Sequence, residues 1–352
     1  MKLLAALILL TVSGLTMPGL GCSGAPTTKP PTEAPESTTP AHAAKSSHDA
    51  ALERALASVA AESDGIVAVS VLHLGNGTRA SLHGDRRSPM MSVFKLPLAI
   101  VALSMIDEGE LRLDQDVPIS ESELRPVSPI AEAWHQGAHS VTIETLLVRT
   151  IQDSDNTAGD KLVALEGGGQ AITARLRRLG IMNVDIGEQE IEMFARLGCP
   201  GAARPADGWT MPAIKACPAP TKAVQLAAAQ HELERSPNSA TTDGLVDMLA
   251  ALDGPAIPGR RDWLRDTLAG TKTGPARLKG LLPEGTRVEH KTGTGDDIDG
   301  LNLATNDVGV ITLPDGSRVA IAVLIAGSRQ DRASRERLIA RLARTVWDRF
   351  AR

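Results

Sequence analysis

The chain has 352 residues, enough for one large domain or two intimate ones, and 42% of them are apolar, so a sizeable core can form. Aromatics are scarce, with no Tyr, three Phe and four Trp, so that core must be built mainly of Leu, Val, Ile and Ala. The formal net charge of −5 is spread along the chain, and no basic block suggests a nucleic-acid surface.

Residues 1–22 stand apart. Lys2 gives a short positive start, Leu3 to Val12 is an apolar run too short to span a bilayer, and small residues lead to Gly21-Cys22. This reads as an export signal that is removed. A Cys after a small residue resembles a bacterial lipoprotein cleavage site, with Cys22 as the lipid-bearing residue. Gly19 stands where such sites carry an aliphatic side chain, which keeps plain secretion open. Residues 23–48 are rich in Pro, Thr, Ser and Ala and read as a disordered, solvated linker. The expected destination is the periplasm, free or held to a membrane by the lipid. No other segment is long and apolar enough to be transmembrane.

From residue 49 onward the pattern is that of a folded domain. Leu52, Leu56 and Val59 give a helix over Ala51–Ala61. Ile66–Leu74 is β-branched and apolar, Asn76-Gly77 is a hairpin turn, and Thr78–Leu82 returns. After Pro89 an apolar helix begins, with Phe94, Leu98, Val101 and Met105. Helical segments and loops then run to about Leu268: Ile143–Ile151, Thr157–Glu166, Ala171–Leu179, Ala223–Leu233 and Leu245–Leu252. Strand character returns at Arg287–His290, Asp307–Leu313 and Arg318–Ile325, with a turn at Pro314-Asp315-Gly316. Leu338, Leu342, Val346 and Phe350 mark a closing amphipathic helix. The expected fold is α/β of the α+β kind. A five-stranded antiparallel sheet, flanked by the N- and C-terminal helices, is built from 49–88 and 275–352. An all-α lobe spans 89–274.

Three short motifs carry chemistry. In Ser92-Val93-Phe94-Lys95, Ser and Lys share one face at a helix start, where an amine can take the hydroxyl proton and the free N–H groups favour an anion. In isolation it is a common surface-helix pattern. Ser154-Asp155-Asn156 lies between two helices and equally suits an N-cap. Lys291-Thr292-Gly293-Thr294 ends a strand, where it can set a cation and a hydroxyl in a cleft while Gly293 lets a ligand near the backbone. Lys272-Thr273-Gly274 has the same letters but follows a helix and enters a loop, so it is set aside.

Together and in this order the three motifs are the signature of class A β-lactamases and penicillin-binding proteins. The resemblance runs from about residue 50 to the end, a β-lactamase/transpeptidase-like chain. MSVFKLPLAIVALSMIDEGEL resembles the family's nucleophile helix, and IQDSDNTAGDKLVALEGGGQAITARLRRLGI its central helices. TGPARLKGLLPEGTRVEHKTGT and ATNDVGVITLPDG resemble the PER-like and VEB-like branch. The resemblance implies hydrolysis of β-lactam antibiotics by a monomer without cofactor. Ser92 is then the acylated nucleophile and Lys95 its proton acceptor or relay. Ser154 passes a proton to the β-lactam nitrogen, supported by Lys291. Asn156 holds the substrate's side-chain amide. Lys291 and Thr292 bind its carboxylate, and the N–H groups of Ser92 and Thr294 form the oxyanion hole.

Three departures qualify this. No Glu-x-x-Leu-Asn segment follows Ser-Asp-Asn. Glu190-Ile191-Glu192-Met193 begins 36 positions after Ser154 and matches the Glu-x-x-Met of the PER-like branch, so Glu190 is assigned as the base that activates water. Glu188 and Glu192 compete with it. Phe194 then stands where the family has Asn or His to help hold that water. Second, the strand after Lys-Thr-Gly lacks the usual Arg, and Arg277 is the implied substitute for binding the carboxylate. A plain surface salt bridge is its bland alternative. Third, residues 195–238 form an insertion beside the cleft mouth that either widens or covers it. It holds Cys199 and Cys217, which read as a disulfide in an exported chain, against the alternative of two buried thiols. Gly137 lies between His135 and His139 and no acidic ligand motif accompanies them, so no metal is expected. The competing functions are a D-alanyl-D-alanine peptidase and a penicillin binder that stays acylated.

Overall fold

The computed structural model describes residues 47–254 and 259–351. The expected signal, Cys22 and the linker up to residue 46 lie outside the described residues. Ser47, assigned to the linker by composition, already accepts a hydrogen bond from the Arg79 amide at 2.8 Å.

Helix α1 (Ala50–Ala60) is capped by Asp49, whose carboxylate accepts from the Leu52 amide. The hairpin β1 (Ile66–His73) and β2 (Arg79–Leu82) follows, then the short strand β3 (Ser88–Pro89). The helical lobe opens with a 3₁₀ turn, Met91–Phe94, that runs into α2 (Lys95–Asp107). Its next elements are β4 (Asp116–Pro118), α3 (Pro129–His135), β5 (Ser140–Thr142), α4 (Ile143–Val148) and a π-helical turn, Arg149–Asp153. Beyond these come α5 (Asn156–Leu165), α6 (Gly169–Arg178), β6 (Val184–Asp185), α7 (Glu190–Gly198), α8 (Met211–Lys215) and α9 (Lys222–Arg235). Then β7 (Ser239–Ala240), α10 (Thr242–Asp253) and α11 (Arg261–Ala269) lead back to the sheet. The chain closes with β8 (Val288–Thr294), β9 (Asp297–Ile298), β10 (Leu301–Thr312), β11 (Arg318–Ser328) and α12 (Arg332–Phe350).

The main sheet runs β2-β1-β11-β10-β8, all antiparallel, with β8 at its edge. To the five expected strands the structure adds β9, two residues paired to β10 and too short to leave a periodic signal. The two ends of the chain meet at its centre, where Val69 of β1 pairs with Val323 of β11. Both faces are covered, so the strands read as continuous apolar runs. Alternate residues nevertheless part company. Val319, Ile321, Val323 and Ile325 pack with Leu52, Leu56, Leu338 and Val346 of α1 and α12. Ala320, Ala322 and Leu324 face the lobe and its α2.

Helix α2 is buried all round from Lys95 to Met105, which explains its lack of any polar stripe. The lobe also holds two small antiparallel patches, β3-β7-β6 and β4-β5, of strands too short for periodicity to flag. Within the expected insertion, α7 runs straight through residue 195, because Ile191 and Ala195 share its buried face.

Candidate active site

Ser92 lies in the 3₁₀ turn ahead of α2, just after Met91, whose φ of 46° is in the left-handed region that bulky residues avoid. Two neighbours fix that turn. Asn306 of β10 donates to the carbonyls of Pro89 and Met90 at 2.9 and 3.0 Å. Gly293 of β8 comes so near that a Cβ there would lie 2.4 Å from the Met90 carbonyl oxygen. Gly293 is thus needed for packing of the strand against the turn that carries Ser92.

Lys95 is fully buried on the first turn of α2. Its ammonium meets Ser92 Oγ at 3.1 Å, the Ser154 carbonyl at 2.8 Å and Asn156 Oδ1 at 2.5 Å. Glu190 Oε2 lies 3.1 Å away as the ion-pair partner. Gly159 makes room on α5, since a Cβ there would lie 2.8 Å from Lys95 Cε. Burial pushes the Glu190 carboxyl above its usual range, the Lys95 charge pulls it down, and Asp160 pushes it up again.

Ser154 has left-handed backbone angles, φ 58° and ψ 33°, at the end of the π turn. This bend aims its carbonyl at Lys95 and sets its hydroxyl 2.9 Å from Lys291 Nζ. Lys291 is fully buried and also donates to the Thr292 carbonyl at 2.8 Å. Burial holds its ammonium well below the ordinary range, and the Lys95 charge adds to this. The two lysines therefore face each other with a serine hydroxyl on each.

The three candidate acids separate cleanly. Glu188 pairs with Arg196 at 2.5 Å and Glu192 with Arg204 at 2.9 Å, while Glu190 sits on Lys95. Ser92, Ser154, Asn156, Glu190, Thr292 and Thr294 line one cleft of about 940 Å³. Arg277 also reaches it, yet it is fully buried and all five of its N–H groups have partners inside the protein. They go to Glu336, the carbonyls of Gly293 and Asn306, and Thr294 Oγ1 at 2.7 Å.

Residues 51–350 match the model of the Beta-lactamase enzyme family. The chain belongs to the class A β-lactamases. It is similar to Extended-spectrum beta-lactamase PER-1 of Pseudomonas aeruginosa, 32% identical, with 74% of each chain covered. It is also similar to Beta-lactamase VEB-1 of that organism, 30% identical over 80% of this chain and 84% of the other. Among solved structures it resembles an ancestral (GNCA) class A β-lactamase, with a TM-score of 0.68 and 31% identity over 85% of this chain and 100% of that one.

Three supporting residues of this class A site escape a motif search. Asp160 of α5 accepts from the amides of Glu190 and Ile191 at 2.5 and 3.2 Å and pairs with Arg125 at 2.7 Å. It therefore caps α7 and fixes where Glu190 begins. Asn238 accepts from the amides of Gly187 and Glu188 and returns a bond to the Glu188 carbonyl, pinning the approach to α7. Asn306 is the third. Asn306 interrupts the apolar run of β10, a signal that could have drawn notice, whereas Asp160 and Asn238 stand among polar neighbours and leave none.

The insertion and the part of α7 before it line the cleft along one side. Met193 and Phe194 stand just ahead of it, and Leu197 of α7 with Met211 and Ile214 of α8 belong to it. Cys199 and Cys217 are joined as a disulfide, with 5.7 Å between their Cα atoms, inside a small core with Ile191, Ile214 and Trp209. Lys272-Thr273-Gly274, set aside as a second motif, nevertheless brings Thr273 and Gly274 to the cleft, while Lys272 pairs with Asp153. His135 and His139 both stack edge-on against Trp134.

Proposed function

We propose that the chain hydrolyses β-lactam antibiotics through an acyl-enzyme on Ser92, with deacylation by water that Glu190 activates. The contact chain Ser92–Lys95–Glu190 carries this reading, since it links nucleophile, amine and carboxylate at 3.1 Å per step. Ser92 Oγ attacks the lactam carbonyl as its proton leaves toward Lys95. The amide N–H groups of Ser92 and Thr294 receive the oxyanion. Before the attack Lys95 hands a proton to Glu190, and so accepts the Ser92 proton as the neutral amine. As the C–N bond breaks, the nitrogen takes the Ser154 proton, Ser154 recovers one from Lys95 and Lys95 one from Glu190. This leaves Glu190 ionised for the second step, while Lys291 steadies the Ser154 hydroxyl. Glu190 then removes a proton from water, which attacks the ester and frees Ser92 and the ring-opened acid. Asn156 orients the substrate's amide side chain.

Lys291, Thr292 and Thr294 receive the substrate carboxylate in this reading. Arg277 contributes by donating to Thr294 Oγ1, which leaves the Thr294 hydrogen for the ligand. In this reading the chain acts as an exported periplasmic monomer, either freely secreted or held to the membrane by a lipid on Cys22.

Turnover of a chromogenic cephalosporin tests the hydrolysis. Fast ring opening with catalytic amounts of protein is the expected result. A stable adduct without turnover would instead favour a penicillin binder, to which Phe194 lends weight because its ring cannot accept a hydrogen bond from water. Ser92→Ala should carry no adduct by intact-mass analysis, and an unchanged adduct would move the nucleophile elsewhere.

A further inference from the structure

The loop after α11 bonds in turn to both halves of the site. Thr271 Oγ1 donates to the His290 carbonyl at 2.6 Å. The Lys272 amide donates to the Gln152 carbonyl at 3.0 Å, and its ammonium pairs with Asp153 at 2.8 Å, next to Ser154. Thr273 Oγ1 lies 2.5 Å from Thr292 Oγ1. Gly274 has a φ of 60° and permits this approach, since a Cβ there would lie 2.7 Å from Thr292 Cγ2. The second Lys-Thr-Gly is thus laid against the first, threonine on threonine.

Two hydroxyls in contact share one hydrogen and keep the other free, whichever of them donates. A hydroxyl that donates to its neighbour also polarises it, and this strengthens the bond the neighbour gives to an anion. Thr273, Thr292 and Thr294 all line the cleft. We infer that Thr273 is a further specificity-determining residue, pairing with Thr292 as a double hydroxyl that selects substrates with an anionic group on the fused ring. The inference rests on the β-lactam reading above. It does not depend on Glu190, because the selection acts at acylation.

The test uses acylation rates, measured by stopped-flow or quenched intact mass, for one cephalosporin and for its methyl ester. Thr273→Ala should lower the second-order acylation rate for the free acid by about tenfold, the worth of one hydrogen bond to a charged group. The ester should lose less than twofold, and Thr273→Ser should restore the acid's rate. Unfolding temperature in each variant reports on the fold, and Thr273→Ser covers the case in which alanine disturbs the loop. Equal losses on acid and ester, or no loss on the acid, would overturn the inference. Acylation without turnover would sink hydrolysis while leaving this comparison intact. No acylation of the unaltered protein would remove the substrate class and the inference with it.

Discussion

Glu190 lies 3.1 Å from the Lys95 ammonium, in surroundings where burial raises its carboxyl and Lys95 lowers it. A general base works only when ionised, so turnover should fall on the acid side as Glu190 takes up its proton. With the net shift upward, that limb should lie above about 4.3, the value of a free Glu. Glu190→Gln should remove the limb and slow deacylation by roughly 10²–10⁴-fold, with the acyl-enzyme visible by mass. Normal turnover in that variant would pass the role to another acid. A second buried carboxyl is also raised by burial but lacks a contact such as Lys95. Glu166 is buried at the end of α5 with neither oxygen hydrogen-bonded, and burial pushes it well above the usual range despite Arg175. Between about pH 4.3 and that raised value the unfolded chain gives up a proton that the folded chain keeps. Stability is therefore fullest below the window and declines as pH rises through it. Glu166→Gln should gain roughly 1–3 kcal/mol at pH 8 and nothing near pH 4, read from unfolding temperatures at both. An equal gain at both pH values would point to packing instead of charge.

At the scale of elements, Ser154-Asp155-Asn156 shows why one motif supports two readings. Asp155 is the N-cap of α5, accepting from the Ala158 amide at 2.9 Å. Ser154 and Asn156 flank it and both contact Lys95. Local pattern located all three motifs because each depends on neighbours three or fewer positions away. What pattern could not reach is the meeting of distant segments. Lys272-Thr273-Gly274 reads in isolation as a plain loop, yet that loop returns to β8 across 19 positions. Asp160 is similar: nothing in α5 announces that α7 starts on its carboxylate. Asp160→Asn would leave an amide nitrogen facing Arg125 and one helix-end amide. We expect a stability loss of about 3–5 kcal/mol, as for a buried pair with one partner removed. Deacylation should slow more than acylation, because Glu190 loses its anchor while Ser92 and Lys95 keep theirs. Equal slowing of both steps would show a general loosening and no specific link to Glu190. Unfolding curves and pre-steady-state acylation separate these outcomes.

For the whole molecule, the periodic apolar positions were enough to foresee a sheet built from both chain ends and a helical lobe beside it. They fill two large cores, one under α1 and α12 and one around α2. The insertion shares only a small core with the start of α7: Ile191, Ala195, Cys199 and Ile214 with partly buried Phe194, Trp209 and Met211. Its weight in holding the fold is correspondingly slight, and its role is to wall the cleft. The Cys199–Cys217 bond closes a loop of 18 positions, worth about 3 kcal/mol in the chain-entropy model. Arg196 of α7 fastens the other side, reaching Glu188 and also Glu232 of α9 at 2.7 Å. Loss of the disulfide should therefore release α8 and the loop while α7 stays in place. In the Cys199→Ser, Cys217→Ser double variant, amide exchange should quicken over 199–217 and remain unchanged in β1, β10 and β11. Ser92 acylation by a small penicillin should persist, since no residue of that step lies in the loop. Met211 and Ile214 stand in the cleft wall, where a bulky cephalosporin would meet them, so its KM should shift several-fold relative to the small penicillin. Intact mass with and without reductant checks the bond itself, and two free thiols in freshly isolated protein would refute it. Identical kinetics for small and bulky substrates would show that α8 lines the cleft without touching what enters it.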